Sequence, residues 1–196
     1  MGKVHTPDIG EFYHQYPSLA TVVTVQAEGV ANAMAVAWHS VVSHMPPLYG
    51  VSVSPKRFTH DLILRAGEFA VNFLPFEEAR LIAATGGVSG REMDKFESFK
   101  MARVNSQATG APILEKAYAA YECKLVAHYE YGNHTWFVGE IVMVHFQEEA
   151  FTGKGTLDLT RVNPALYMGA DLYITTDPGS VRHLDRRACI AEFEGQ

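Results

Sequence analysis

The chain has 196 residues, 47% of them hydrophobic and 19% charged, an ordinary globular balance in a chain long enough for one well-buried core without a second domain. Sixteen Lys and Arg against twenty-two Asp and Glu give a formal charge of −6, which argues against a nucleic-acid-binding surface and requires any phosphate to be held by a local cluster. The N-terminus, Met1-Gly2-Lys3-Val4-His5-Thr6-Pro7, lacks the apolar stretch of a signal peptide, and no apolar run is long enough to cross a bilayer, so a cytoplasmic protein without membrane contact is expected.

In chain order, residues 7–15 read as a short helix with Asp8 as cap and with Phe12 and Tyr16 available for packing. Residues 18–26 carry β-branched side chains from Thr21 to Val25, and Glu28-Gly29 is a turn signal before a returning strand at 30–38. Ala31, Ala33, Ala35 and Ala37 recur at period two, so one face of that strand lacks bulk and leaves room for a flat ligand or a closely packed second sheet. Val51 and Val53 alternate with Ser52 and Ser54, which sends valines to a core and serines to a solvated or ligand-filled face. Arg57 follows, then a short helix with Thr59 as N-cap and Gly67 just past its end. Free backbone N–H groups, the positive end of the helix dipole, a guanidinium and a hydroxyl together make a candidate phosphate site.

Beyond a strand at 68–74, Pro75 opens a helix through Glu77, Arg80, Leu81 and Ile82 that ends at Gly86-Gly87. Residues 88–104 read as a loop with a helical piece at 93–99. The two longest strand candidates, 118–131 and 135–147, are separated by Gly132-Asn133. On the first, Tyr121, Cys123, Leu125 and Ala127 share one face, and Glu122, Lys124 and His128 the other. From Asp177 the chain is polar and aperiodic, a C-terminal tail over 177–196 that is either mobile or wrapped around a partner subunit. Cys123 and Cys189 form no C-x-x-C pair, and none of the nine histidines has a usual ligand spacing, so no metal is expected. Gly153-Lys154-Gly155-Thr156 lacks the upstream glycine of a P-loop, and Gly86-Gly87-x-x-Gly90 follows a helix rather than the strand of a dinucleotide fold.

The regular alternation of strands with few long helices favours a mostly β fold, a β-barrel with peripheral helices. Five stretches then stand in a telling order: Asn32-Ala33-Met34-Ala35-Val36-Ala37-Trp38; Ser43-x-x-Pro46-Pro47-Leu48; Ser52-x-x-x-x-Arg57-x-Thr59; Gly67-Glu68-Phe69-Ala70-Val71-Asn72; and Gly132-Asn133-His134-Thr135 with Val138-Gly139-Glu140-Ile141. Over roughly residues 10–170 this pattern resembles the flavin reductase-like family, with Asn133 where that family more often has Asp. The resemblance implies a Greek-key, FMN-binding split barrel spanning 1–196, assembled as a homodimer with the flavin near the subunit interface.

It implies FMN as cofactor, with Arg57, Thr59 and His60 on the phosphate. Asn32, Ala33, Met34, Ala35, Val36 and Trp38, facing Ser52, Val53 and Ser54, would flank the ring. Asp94, Lys95 and Phe96 fall in a loop that in such proteins lies near the flavin, often from the partner subunit. His134 falls near the expected nicotinamide, where it can orient the ring or offer a proton. The partners implied are NAD(P)H and a small-molecule or protein electron acceptor. Three functions stay open: an NAD(P)H-dependent flavin or ferric reductase, a flavoredoxin-type carrier reduced by a protein, and a non-catalytic flavin- or haem-binding protein.

Overall fold

The computed structural model describes residues 2–194. Residues 7–15 form turns rather than the expected helix, because Gly10 and Phe12 take positive φ values of 54° and 62° that interrupt a helical run. Phe12, although exposed, lies edge-on to Trp38 at 6.0 Å, and Tyr16 is half-buried, edge-on to Tyr167 at 5.4 Å.

Strand β1 (Ser18–Leu19) leads into β2 (Thr21–Ala27), and Glu28 and Gly29, at φ 51° and 81°, fold the chain back as β3 (Val30–Val36). After Ala37 and Trp38 come β4 (His39–Ser43), β5 (Leu48–Val53) and helix α1 (Phe58–Ala66). Strand β6 (Glu68–Phe73), a 3-10 turn at Phe76–Glu78, α2 (Ala79–Gly87) and α3 (Lys95–Ser98) follow. The short pair β7 (Arg103–Val104) and β8 (Ile113–Leu114) precedes the long hairpin β9 (Ala119–Tyr131) and β10 (His134–Phe146). The chain finishes with β11 (Leu166–Gly169), β12 (Leu172–Ile174) and α4 (Arg186–Glu194).

Seven strands form one antiparallel sheet in the order β3-β2-β6-β9-β10-β5-β4, and β1, β11 and β12 form a smaller one. Strands β3 and β4 lie at opposite edges of the large sheet yet are consecutive in the chain, joined by two residues. In a flat seven-stranded sheet the edges would stand about 29 Å apart, whereas three Cα steps span at most about 11 Å. The sheet is therefore rolled until its edges meet. No ladder joins β3 to β4 among the described residues, so the roll stays open along that seam.

The inside of the roll is filled by Val23, Val25, Val51, Val53, Phe69 and Phe137, and Leu62 and Ile63 of α1 pack into the same cluster. The opposite face of β2 and β3 carries Val22 and Ala33, packed with Ile82 of α2, Phe96 of α3 and Leu114. Strand β2 is thus buried on both faces, which is why Thr21 and Thr24 are buried along with its valines.

Three local expectations need correction. Helix α1 is capped by Arg57, not Thr59; Thr59 lies inside the helix, fully buried, because its hydroxyl accepts a 2.8 Å hydrogen bond from Asn32 Nδ2 on β3. On β9, a register shift pairs Leu125 with Gly139 but Ala127 with Val138, which turns His128 towards Phe137 on the core side, 6.0 Å ring to ring. The aperiodic C-terminal stretch contains α4, an exposed helix with no apolar stripe to reveal it, since Ile190 and Phe193 both face solvent. Gly67 does end α1 as expected, at φ 66° with its N–H donating to the Ile63 carbonyl.

Candidate functional site

A cleft of about 610 Å³ opens along the seam. Its floor is the end of β3, Met34 to Val36, with Ala37; Ser52 and Ser54 stand opposite, and Lys56, Arg57, His134 and Trp38 form its rim. The alternation read in the sequence places these groups: Val51 and Val53 are buried in the core, so Ser52 between them faces the cleft. The small side chains matter as well. A Cβ on Gly86, at the end of α2, would stand 3.3 Å from Cβ of Ala35, so the helix end comes close to the floor only because both residues are small.

The cleft is electropositive. Arg57 is exposed and forms no ion pair among the described residues. The start of α1 behind it has no side-chain cap, which leaves first-turn N–H groups for a ligand. Lys95, the first residue of α3, is buried; its ammonium donates to the Ala33 carbonyl at 2.8 Å and to the Thr85 carbonyl, near the end of α2, at 2.7 Å. Burial, with the charge of Arg57 adding to it, brings Lys95 down to about 8.

His134 is half-buried at the start of β10. Its Nδ1–H donates to Asn133 Oδ1 at 2.7 Å, and its ring lies 4.9 Å from that of Trp38. Burial first and Arg57 second hold its pKa below the usual histidine value, so the neutral ring, with Nε2 as a free acceptor, dominates at pH 7. Arg57 is thus electrostatically coupled to both Lys95 and His134. Trp38 is fixed by its own indole N–H, which donates to the Tyr16 hydroxyl at 2.9 Å, and by its carbonyl, which accepts from Ser52 N–H at 2.8 Å.

A family profile described as Flavin reductase like domain matches residues 13–174. The chain belongs to the flavin reductase-like family. Among solved structures, it is 38% identical to an FMN-binding protein from Thermus thermophilus with bound 1-cyclohex-2-enone, at TM-score 0.82 over 93% of this chain and 99% of that one. A flavoredoxin from Methanosarcina acetivorans is 27% identical at TM-score 0.83, over 95% and 100% of the two chains. The reductase component of an FADH(2)-dependent resorcinol hydroxylase from Rhizobium sp. is 32% identical over 68% of this chain and 74% of its own length. The chain spans 61% of the length of an Aeropyrum pernix relative to which it is 33% identical.

Of the residues expected in the site of this flavin reductase-like protein, Met34, Ala35, Val36, Trp38, Ser52, Ser54, Arg57 and His134 line the cleft. The others are not brought to it. Thr59 is occupied by Asn32, and His60 is buried, with Nε2 against the Thr135 hydroxyl at 2.9 Å. Ala33 and Val53 belong to the two core clusters. Asp94 caps α3 by accepting from Glu97 N–H, and Phe96 is buried beneath Arg103. Lys95 sits one layer behind β3 and acts there through its charge and the Ala33 carbonyl.

Ala37, one of the small residues of the alanine face, lines the cleft, and so do Tyr16, Lys56, Gly86 and Tyr167, which were not among the expected site residues; Tyr16 and Tyr167 arrive from opposite ends of the chain, and only their aromatic character could have drawn notice. The donor set suits a phosphate-bearing planar ligand such as a flavin nucleotide: unpaired cations at one end, small side chains on the floor, and aromatic rings at the rim. The buried Asn32 Oδ1, which has no partner and lies beside Gly90, adds an unused acceptor below the floor.

Proposed function

We propose that the protein binds FMN in this cleft as an NAD(P)H-dependent flavin reductase, passing electrons to free flavin, ferric iron or another acceptor. The observation that carries the reading is an exposed Arg57, without an ion-pair partner among the described residues, standing with Lys56 at the rim above a floor of small residues. The Thermus relative is named for binding FMN and the Rhizobium relative as a reductase component, which supports both halves of the proposal.

When bound, the flavin would supply the redox chemistry between a hydride donor and an electron acceptor. The chain's own residues bind and orient. Arg57, Lys56 and the start of α1 would hold the phosphate. Strand β3, which has a ladder partner on one side only, would offer backbone groups to the polar edge of the ring together with Ser52 and Ser54. His134 and Trp38 position the hydride donor. The rolled sheet is read as a Greek-key split barrel forming one flavin-binding unit. In a homodimer the outer face of the β9–β10 hairpin, where Val126, Tyr129, Val144 and Phe146 are exposed, would meet the second subunit.

The likeness to the Methanosarcina flavoredoxin favours a second reading, an electron carrier on the same site. Anaerobic titration of the FMN-loaded protein with NADH and NADPH separates the two. Bleaching of the flavin absorbance by either nucleotide supports the reductase, and bleaching only with an added reductase protein supports the carrier. Failure to retain FMN would refute both.

A further inference from the structure

Away from the cleft, α2 and the stretch that leaves α3 enclose a separate pocket of about 330 Å³, within the size range of small-molecule sites. It shares no lining residue with the cleft, yet α2 serves both. Leu81 and Ala84 line the pocket, whereas Gly86, about 200° further round the helix from Ala84, borders the cleft. The floor of the pocket is apolar. Leu74, Met101 and Leu114 are buried there, with Leu81 and Phe99 packed against them.

The rim is charged, and its charges do not cancel. Lys116 and Glu78 neutralise each other, Nζ to Oε1 at 2.6 Å. Arg80, Lys100 and Glu77 form no ion pair among the described residues, so two cations against one carboxylate leave the rim net positive. Lys100 stands out by its backbone. Its φ is 52°, its N–H donates to the Glu97 carbonyl at 3.1 Å, and the next N–H, of Met101, donates to the Phe96 carbonyl at 2.9 Å. This is the left-handed turn that ends helices and that glycine adopts without strain. A lysine here is conformationally unfavourable, and what it adds over glycine is a long cationic side chain on the rim of the pocket.

We propose that this pocket binds a small apolar carboxylate, its hydrocarbon on Leu81, Phe99 and Met101 and its carboxylate held by Lys100 and Arg80. An uncharged molecule leaves the two cations unused, and a cationic one meets them with like charge. A phosphate dianion brings a second negative charge towards Glu77 and Glu78. The proposal does not depend on what occupies the cleft.

Among the seven methionines are two reporters, since Met101 lines the pocket and Met34 the cleft. Their methyl NMR signals, assigned through Met101→Leu and Met34→Leu, are followed in the full chain, flavin-free and FMN-loaded, during titration with hexanoate, hexan-1-ol, hexylamine and hexyl phosphate. Hexanoate should shift the Met101 signal saturably in both forms and leave Met34 in place, with hexan-1-ol and hexylamine at least about fivefold weaker and hexyl phosphate no tighter. Lys100→Gly should weaken hexanoate about fivefold without lowering the unfolding temperature, because glycine accepts the same backbone. Glu77→Gln should strengthen it about two- to fivefold. A Met101 signal that does not move, an equal response to hexan-1-ol, indifference to Lys100→Gly, or loss of hexanoate binding on addition of FMN would each overturn the proposal. Failure of the flavin reading would show differently, as a Met34 signal indifferent to FMN with the hexanoate titration intact.

Discussion

Replacing Glu122 by Gln should cost stability in a pH-dependent way, and the structure sets the size of the effect. Glu122 is fully buried on β9, and its carboxylate accepts five hydrogen bonds: Gln107 N–H at 2.7 Å, Ala108 N–H at 2.9 Å, Thr109 N–H at 2.7 Å, the Thr109 hydroxyl at 2.8 Å and His145 Nε2–H at 2.6 Å. Burial alone would raise its pKa, but these donors outweigh it and hold the group at about 2 against an ordinary 4.5. That gap corresponds to about 3 kcal/mol of stability at neutral pH. Because the folded value is the lower one, the contribution is complete above about pH 4.5 and drains away as the pH falls towards 2. The amide of Gln stays neutral throughout and turns an NH2 group towards donors. Urea unfolding of wild type and Glu122→Gln should therefore differ by about 3 kcal/mol at pH 7, with the gap narrowing steadily below pH 4.5. A gap under about 1 kcal/mol at pH 7, or one that does not change with pH, would show that the clasp on the 107–109 loop is not electrostatic.

Arg57→Ala should weaken FMN binding about 10- to 150-fold, the equivalent of one charge-assisted contact of about 1.5–3 kcal/mol, while the unfolding midpoint stays put because Arg57 has no ion-pair partner to lose; fluorescence titration reads the first and thermal melting the second. His134→Ala should leave FMN bound but slow its reduction by NAD(P)H up to about 100-fold in stopped flow. It should also abolish any wild-type inflection in rate, which is expected below the usual histidine range because His134 is held low. Lys95 has a folded-state pKa of about 8 against 10.5, so the unfolded chain binds the extra proton and the flavin-free wild type should gain about 2–3 kcal/mol between pH 8 and 10 relative to Lys95→Met. Parallel denaturant series at the two pH values would show no relative gain if the ammonium were solvated.

Much of the framework was legible because it rests on short-range rules. The valine and serine alternation at 51–54 predicts core and cleft correctly, and the Glu28-Gly29 turn and Gly67 cap follow from left-handed backbone that glycine accepts. What escaped depends on partners distant in sequence. Thr59 looks like a cap until Asn32, 27 residues earlier, takes its hydroxyl. His128 changes face because of a one-residue bulge that no alternation can announce. Strand β4 was not separated from its neighbours, since Val41 and Val42 are both exposed on an edge and show no period of two. The cleft shows the same division: Arg57, Ser52 and His134 stand in recognisable patterns, whereas Tyr167 and Gly86 reach the wall only through the packing of β11 and α2.

The two-residue link between β3 and β4 also sets where this chain can accept insertions. The hairpin turns at 28–29 and 132–133 project away from the ladders they close, and added residues there would lengthen a loop without moving a strand. At 37–38 each added residue would let the two margins of the sheet drift apart by up to about 3.5 Å, roughly the thickness of one aromatic ring. Relatives of this fold that handle bulkier molecules have an economical route open to them in that span: a change of one residue in length alters the gauge of the opening while every strand keeps its register.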